Sequence, residues 1–248
     1  MRSTKLNTTK GFSLVEVVIA MGIVAILLTT FFAVFTPAQR NIQRSLGIKD
    51  ANRMASALEN EMAVLRPGGE SSTYDSAFDK AFEWIKNSNS PTSAVLVYQY
   101  TAVPGQTDGE MNQDGTPQAY NTAKDKGIPG KDYITFTAVR SLNDSSARNL
   151  IQEELVPGVV TGGVYVVRMT QLVPKQDGSL GLGSEGQIVD PDTGSGVGSS
   201  DQYEQAYIAF QADFFRLKSN QAGYVLGGSW NFDNLGKAVA SRNMAVRR

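Results

Sequence analysis

Lys10-Gly11-Phe12-Ser13-Leu14-Val15-Glu16-Val17-Val18-Ile19-Ala20-Met21, continued by an apolar run to Phe35, decides how this chain is organised. From Val17 to Phe35 there are 19 residues without a charge, close to the roughly 20 that a helix needs to cross a bilayer core. One carboxylate, Glu16, stands at the head of the run, four residues after Phe12. Ahead of it lies a short stretch, Met1 to Gly11, with Arg2, Lys5 and Lys10 and no acidic residue. A secretory signal places its small-residue cleavage site after the apolar run. Here the conspicuous small residue, Gly11, stands before it. The pattern predicts a leader removed on the cytoplasmic side and an apolar helix kept on the mature chain.

Lys10-Gly11-Phe12-Ser13-Leu14-Val15-Glu16 resembles the prepilin peptidase site of type IV pilins and of the pseudopilins of type II secretion. The resemblance covers about residues 5 to 40. It implies a cut between Gly11 and Phe12, N-methylation of Phe12, and a role for Glu16 as the assembly glutamate. It implies as partners the prepilin peptidase, other pilins or pseudopilins, an inner-membrane assembly platform and membrane lipid. It implies a single-pass protein of a bacterial inner membrane whose C-terminal domain faces the periplasm, in a filament or at the cell surface after assembly. Type IV pilins often carry a proline where Ala33 stands here, whereas this chain has Pro37. A local melting of the helix on assembly is therefore not implied at that position.

The chemistry of Glu16 agrees. An ionisable side chain well inside a membrane costs about 2.5–3.5 kcal/mol on insertion scales, so it needs a partner or a function. Cleavage would turn the nitrogen of Phe12 into a cation four residues away on the same helix face. The competing reading is a glutamate at the interface, favoured by the positive end of the helix dipole. Lys and Arg flank both ends of the run, with Arg40 and Arg44 beyond it. Orientation therefore rests on the cleavage motif more than on charge counting.

Composition bounds the remainder. The chain has 248 residues with 23 Lys+Arg and 24 Asp+Glu. Loss of the leader removes three basic residues and no acid, leaving a side-chain charge of −4. Such a mild balance argues against nucleic acid as a partner. There is no Cys to form a disulfide and no His, which removes the commonest general base. Ser-His-Asp and Cys-His arrangements are excluded outright, and the expectation is a protein that is not an enzyme.

Beyond Pro37, the residues Ile48, Ala51, Ala55, Leu58, Met62 and Leu65 recur at spacings of 3, 4, 3, 4 and 3. That is an apolar helical stripe, with Arg53, Glu59 and Glu61 mostly off it. Pro67-Gly68-Gly69 is the stop signal, so one helix is expected over residues 12–66. Ser72-Thr73-Tyr74-Asp75 reads as a capping box for a helix through Lys86. Strand candidates follow at Ala94–Thr101, Tyr133–Arg140, Val164–Val173, Ala206–Leu217, Tyr224–Leu226 and Lys237–Val246. Ser141–Gln152 is open between helix and loop. Helix first and strands later predicts an α+β fold, pilin-like, with an antiparallel sheet packed on the second half of the long helix. The expected segments are a leader at 1–11, a membrane and assembly helix at 12–36, an amphipathic continuation at 37–66 and a globular domain at 70–248.

Two polar loops stand out, Pro104–Gly130 and Lys175–Ser200. Gly181-Leu182-Gly183-Ser184-Glu185-Gly186 matches G-x-G-x-x-G. No strand leads into it and no helix follows, so it reads as a flexible loop rather than a dinucleotide site. Asp108, Glu110, Asn112 and Asp114 alternate in the first loop. Calcium takes six to eight oxygen ligands from such segments, and some pseudopilins bind calcium in the globular domain. These four residues are the candidate calcium ligands, against ordinary turn chemistry as the alternative.

The reading that results is a subunit of a type IV pilus or related filament, minor rather than major because the mature chain is large. The alternatives are a minor pseudopilin of type II secretion, a membrane-anchored binding or enzyme domain, and a secreted protein cut after Thr36-Pro37-Ala38. A peptidase must fit closely around the residue before the cut, where Gly offers no Cβ. Gly11→Val is expected to leave uncut precursor in the membrane. Mass spectrometry of the N-terminus checks this, and a normal Phe12 terminus from that variant would contradict the prepilin reading.

Overall fold

The apolar run opens helix α1, Leu14–Met62, which is continuous through Pro37. The computed structural model describes residues 13–104, 110–121, 133–175 and 177–248, without the side chains of 36–38, 40–49 and 51. The chain divides into two compact units, Met1–Ile48 and Lys49–Arg248. In the first, Leu14–Phe35 is 22 residues long and apolar enough to cross a membrane, and none of it is buried. Its two hydroxyls close onto their own backbone, Thr29 Oγ1 to the Ala25 carbonyl at 2.8 Å and Thr30 Oγ1 to the Ile26 carbonyl at 2.8 Å. These bonds satisfy groups that lipid could not.

The second unit is built on a six-stranded antiparallel sheet. Its strands are β1 (Val95–Ala102), β2 (Ile134–Ser141), β3 (Val160–Pro174), β4 (Leu180–Leu182), β5 (Tyr207–Arg216) and β6 (Ala240–Arg247). The order is β2-β1-β3-β5-β6, with β4 pairing with β3 beside the main path. The register sets Val97 against both Val139 and Tyr165, Val167 against Phe214, and Phe210 against Met244. Further helices among the described residues are α2 (Gly69–Thr73), α3 (Ala77–Asn87), α4 (Ser145–Glu154) and α5 (Ala222–Leu226).

Both faces of the sheet are covered. On one, Met54, Ala55, Leu58 and Met62 of α1 and Phe78, Ala81, Phe82 and Ile85 of α3 pack with Val95, Val97, Val167 and Met169. On the other, Leu96, Tyr98, Tyr100 and Val166 pack with Ile151 of α4, Val225 of α5 and Trp230. Each fully buried side chain of this size contributes about 1.5–3 kcal/mol. A strand buried on both faces reads as a continuous apolar run, which is why Val164–Val167 does not alternate.

Several expectations are corrected. The long helix stops at Met62 rather than Arg66, and in the connection that follows the Val64 carbonyl accepts from a buried cation, Lys80. Glu61 is not on an exposed face: it is buried, in a bidentate pair with Arg66 (Nε–Oε1 2.8 Å, Nη2–Oε2 2.6 Å). Lys80, with no solvent exposure, also meets Glu61 Oε1 at 3.4 Å and Glu70 Oε2 at 2.9 Å. Ser72 is not the cap of the following helix; its hydroxyl donates to the Gly69 carbonyl at 2.8 Å inside α2. Ser76 caps α3 instead, accepting from the Asp79 N–H at 3.1 Å. Tyr224–Leu226 is helical, lying in α5, since a three-residue apolar run carries no usable period. Within the second polar loop, Ile188 is buried and the Gln171 side chain exchanges two 2.8 Å bonds with the Val189 backbone.

Beneath the second face lies another buried ionic cluster. Arg140 meets Glu154 (Nη2–Oε1 2.6 Å), Thr116 Oγ1 (2.9 Å) and the Asp114 carboxylate, and the Tyr98 hydroxyl donates to Glu154. Burial and the adjacent Glu154 charge push the Tyr98 hydroxyl well above its ordinary value. For Asp114, burial alone would raise the carboxyl, but Arg140 and the Thr116 bonds outweigh it and the value is lowered. A carboxyl lowered by folding adds stability above its ordinary pKa, and that stability is lost as pH falls through the folded value. Asp114→Asn is therefore expected to lower stability at neutral pH by about 1.5–3 kcal/mol and to flatten its decline below about pH 4. Urea titrations of the intact chain at a series of pH values measure both effects.

Candidate functional site

Ser13 precedes α1, and its backbone and side chain enclose Glu16. The Ser13 N–H and hydroxyl both donate to Glu16 Oε2, at 2.9 and 3.1 Å, and Ser13 Oγ accepts from the Glu16 N–H at 3.2 Å. This is a capping box, in which serine and glutamate three residues apart satisfy each other's backbone donors. The first helical bond follows, Val17 N–H to the Ser13 carbonyl at 3.2 Å. Glu16 Oε1 carries no hydrogen bond among the described residues. The side chain opens onto a shallow apolar groove along Val17, Ala20, Met21, Val24, Ala25 and Leu28, where the two alanines leave the space. A carboxylate with Oε1 unengaged among the described residues, at the head of an exposed apolar face, can accept a further donor, most strongly a cationic one.

Gly11 and Phe12 lie outside the described residues, as does Asp108 of the candidate calcium set. The other three members are placed. Asp114 has both oxygens engaged, Oδ2 by Arg140 and Oδ1 by the Thr116 N–H and hydroxyl at 3.0 and 2.6 Å. The Asn112 amide donates to Thr116 Oγ1 at 3.1 Å and to the Pro117 carbonyl at 3.2 Å, and Glu110 lies in the same turn. No three acidic groups gather at metal-holding distance among the described residues. The Gly181–Gly186 segment begins in β4, so a strand does lead into it, and residues 187–199 contain no helix.

Sequence reasoning singled out Glu16 and missed Ser13. The signal was present: Ser13-x-x-Glu16 directly before an apolar run is a helix-start signature. Its recognition as a cap was masked by the cleavage motif that overlaps it.

Comparison with known proteins bears on the same segment. Residues 6–32 match the family model described as the prokaryotic N-terminal methylation motif. That motif is the signature of type IV pilins and pseudopilins, and an N-terminal apolar helix followed by an antiparallel sheet is a pilin-like arrangement. It implies processing by a prepilin peptidase and assembly with other pilins. No curated protein and no solved structure matches the chain.

Loss of a serine cap costs about 1 kcal/mol, roughly fivefold in the local opening equilibrium. Ser13→Ala in lipid nanodiscs is expected to speed hydrogen exchange of the first-turn amides by that factor, while Ser13→Thr keeps them protected. Amide exchange followed by NMR on the intact precursor makes the comparison.

Proposed function

We propose that the chain is a minor subunit of a type IV pilus or pilus-like filament, held in the inner membrane by Leu14–Phe35, cut after Gly11 and assembled through Glu16. The observation that carries this reading is the Glu16 carboxylate, with Oε1 unshared, at the head of a wholly exposed apolar helix. The methyl-ammonium of a processed Phe12, from the same chain or a neighbour, is the donor that such an oxygen would accept. The large second unit, on the periplasmic or outer side, suits a minor subunit. A type II secretion pseudopilus uses the same N-terminal chemistry and falls within the reading. The subunit is structural rather than enzymatic.

Glu16→Ala separates assembly from anchoring. Removal of the carboxylate makes the helix easier to hold in lipid, so a mere anchor would keep its level and location. An assembly element would leave the Phe12 amine poorly compensated. Breaking a buried pair by removing one partner costs about 3–5 kcal/mol, roughly a hundredfold or more in docking. Incorporation into sheared filaments is expected to fall by that factor while cleavage after Gly11 continues. Wild-type incorporation of the variant would end the proposal.

A further inference from the structure

A polar cavity of about 500 Å³ opens between the Gly68-Gly69 turn, the 110–118 loop and one face of α4. The volume is within the roughly 300–1,000 Å³ of small-molecule sites. Its walls are fixed before any ligand arrives. The loop is closed by Asn112 N–H to the Thr116 carbonyl at 2.8 Å and Gln118 N–H to the Glu110 carbonyl at 2.9 Å. It is tied to the core by Tyr100, whose hydroxyl donates to the Pro117 carbonyl at 2.6 Å, and by the Asp114–Arg140 pair. Gly68, at φ 87°, makes a left-handed turn beside the Gln113 backbone that other residues would adopt only with strain. Gly69 sits so close to Asp144 and Ser146 that a Cβ would come within 3.0 Å of their oxygens.

The lining side chains define what could bind. Ser146, Asn149 and Glu153 follow one another at three and four residues on α4 and share a face. Across from them stand Gln113, Asn112 and Gln118. Among the described residues, the side chains of Gln113, Asn149 and Glu153 take no hydrogen bond, and all three are exposed. Among the described residues no lysine or arginine lines the cavity, so they offer an anion no counter-charge there. Asp114 is fully engaged by Arg140 and Thr116, leaving Glu153 as the one free carboxylate among the described lining residues. One carboxylate falls far short of the six to eight oxygens that calcium collects. Among the described lining residues there is no aromatic ring and Met111 and Leu150 are the only large apolar groups, which does not suit a lipid or a flat apolar ligand.

What remains is a neutral ligand that both donates and accepts at close intervals. Carboxamides offer a donor and an acceptor side by side, and a carboxylate accepts twice. Vicinal hydroxyl groups are the complement of both. We infer that this cavity is a binding site for a short neutral saccharide, with Asn149 and Gln113 as the donor–acceptor arms and Glu153 accepting a pair of hydroxyls. The inference does not depend on the filament reading.

The test uses the full chain in phospholipid nanodiscs, avoiding sugar-headed detergents. Maltotriose, cellotriose and triacetylchitotriose are titrated by calorimetry and by saturation-transfer NMR, with trialanine and calcium chloride in parallel. At least one trisaccharide is expected to bind with a Kd of about 1 mM or tighter. The double variant Gln113→Ala/Asn149→Ala, altered at two exposed positions, is expected to bind at least tenfold more weakly with an unchanged melting temperature. The inference is overturned if none of the three binds below about 10 mM. It is equally overturned if the double variant binds as the wild type does, or if only trialanine or calcium gives a response.

Discussion

Lys80 holds an ammonium group with no access to water, and the helical layer over the first face of the sheet is arranged to satisfy it. An unpaired charge in that position would cost several kcal/mol. Its three donors instead meet Glu61 at the end of α1, Glu70 in α2 and the Val64 carbonyl in the connection between them. Arg66 supplies the second cation that two carboxylates require, and its backbone N–H also reaches Glu70 at 3.0 Å. The end of the long helix, the turn after it and the start of α3 are therefore placed by one group. Trp84 lies against the same ammonium, 4.9 Å from ring centroid to Nζ, so the apolar layer closes directly over the charge.

The opposite face has its own version of this constraint. Arg140 reaches across from β2 to Glu154 on α4 and Asp114 on the loop, and two tyrosines fill the space around it. The two clusters are electrostatic neighbours, since Arg66 feels both Asp114 and Arg140. Burial opposes the charge of Arg66, yet the bidentate Glu61 carboxylate more than restores it. Each covering layer thus holds a buried ion cluster, one joining α1, α2 and α3 and the other tying α4 and the 110–118 loop to β2. In a chain without cysteine, the Arg140 cluster supplies a fixed tie between covering layer and sheet, and the Lys80 cluster fixes the helices to one another.

What could be read from residues alone follows from how local each signal is. The membrane helix, the Glu16 spacing and five of the strands are written in short windows and were legible there. So was the antiparallel α+β class. The capping serine of α3 was misplaced because Ser72 and Ser76 both precede an apolar run, and only the short α2 turn distinguishes them. The burial of Lys80, Glu61, Arg140 and Glu154 was invisible, since each looks like a solvated charge until its partner, often more than ten residues away, is known. The polar cavity was hidden for the same reason. Its walls come from three separate segments, and its free side chains are those that no local rule singles out.

Thr29 and Thr30 give the membrane helix a property that its hydropathy does not convey. With both hydroxyls returned to the carbonyls of the preceding turn, the run from Val17 to Phe35 presents only hydrocarbon to whatever surrounds it. Acyl chains and the flank of another apolar helix are then nearly equivalent solvents for it. Partition between them is governed by shape and by the single carboxylate at its head, because nothing along its length must exchange a hydrogen bond on the way. The helix behaves as a solute indifferent to which oily phase it occupies, with Glu16 alone able to tell the two apart.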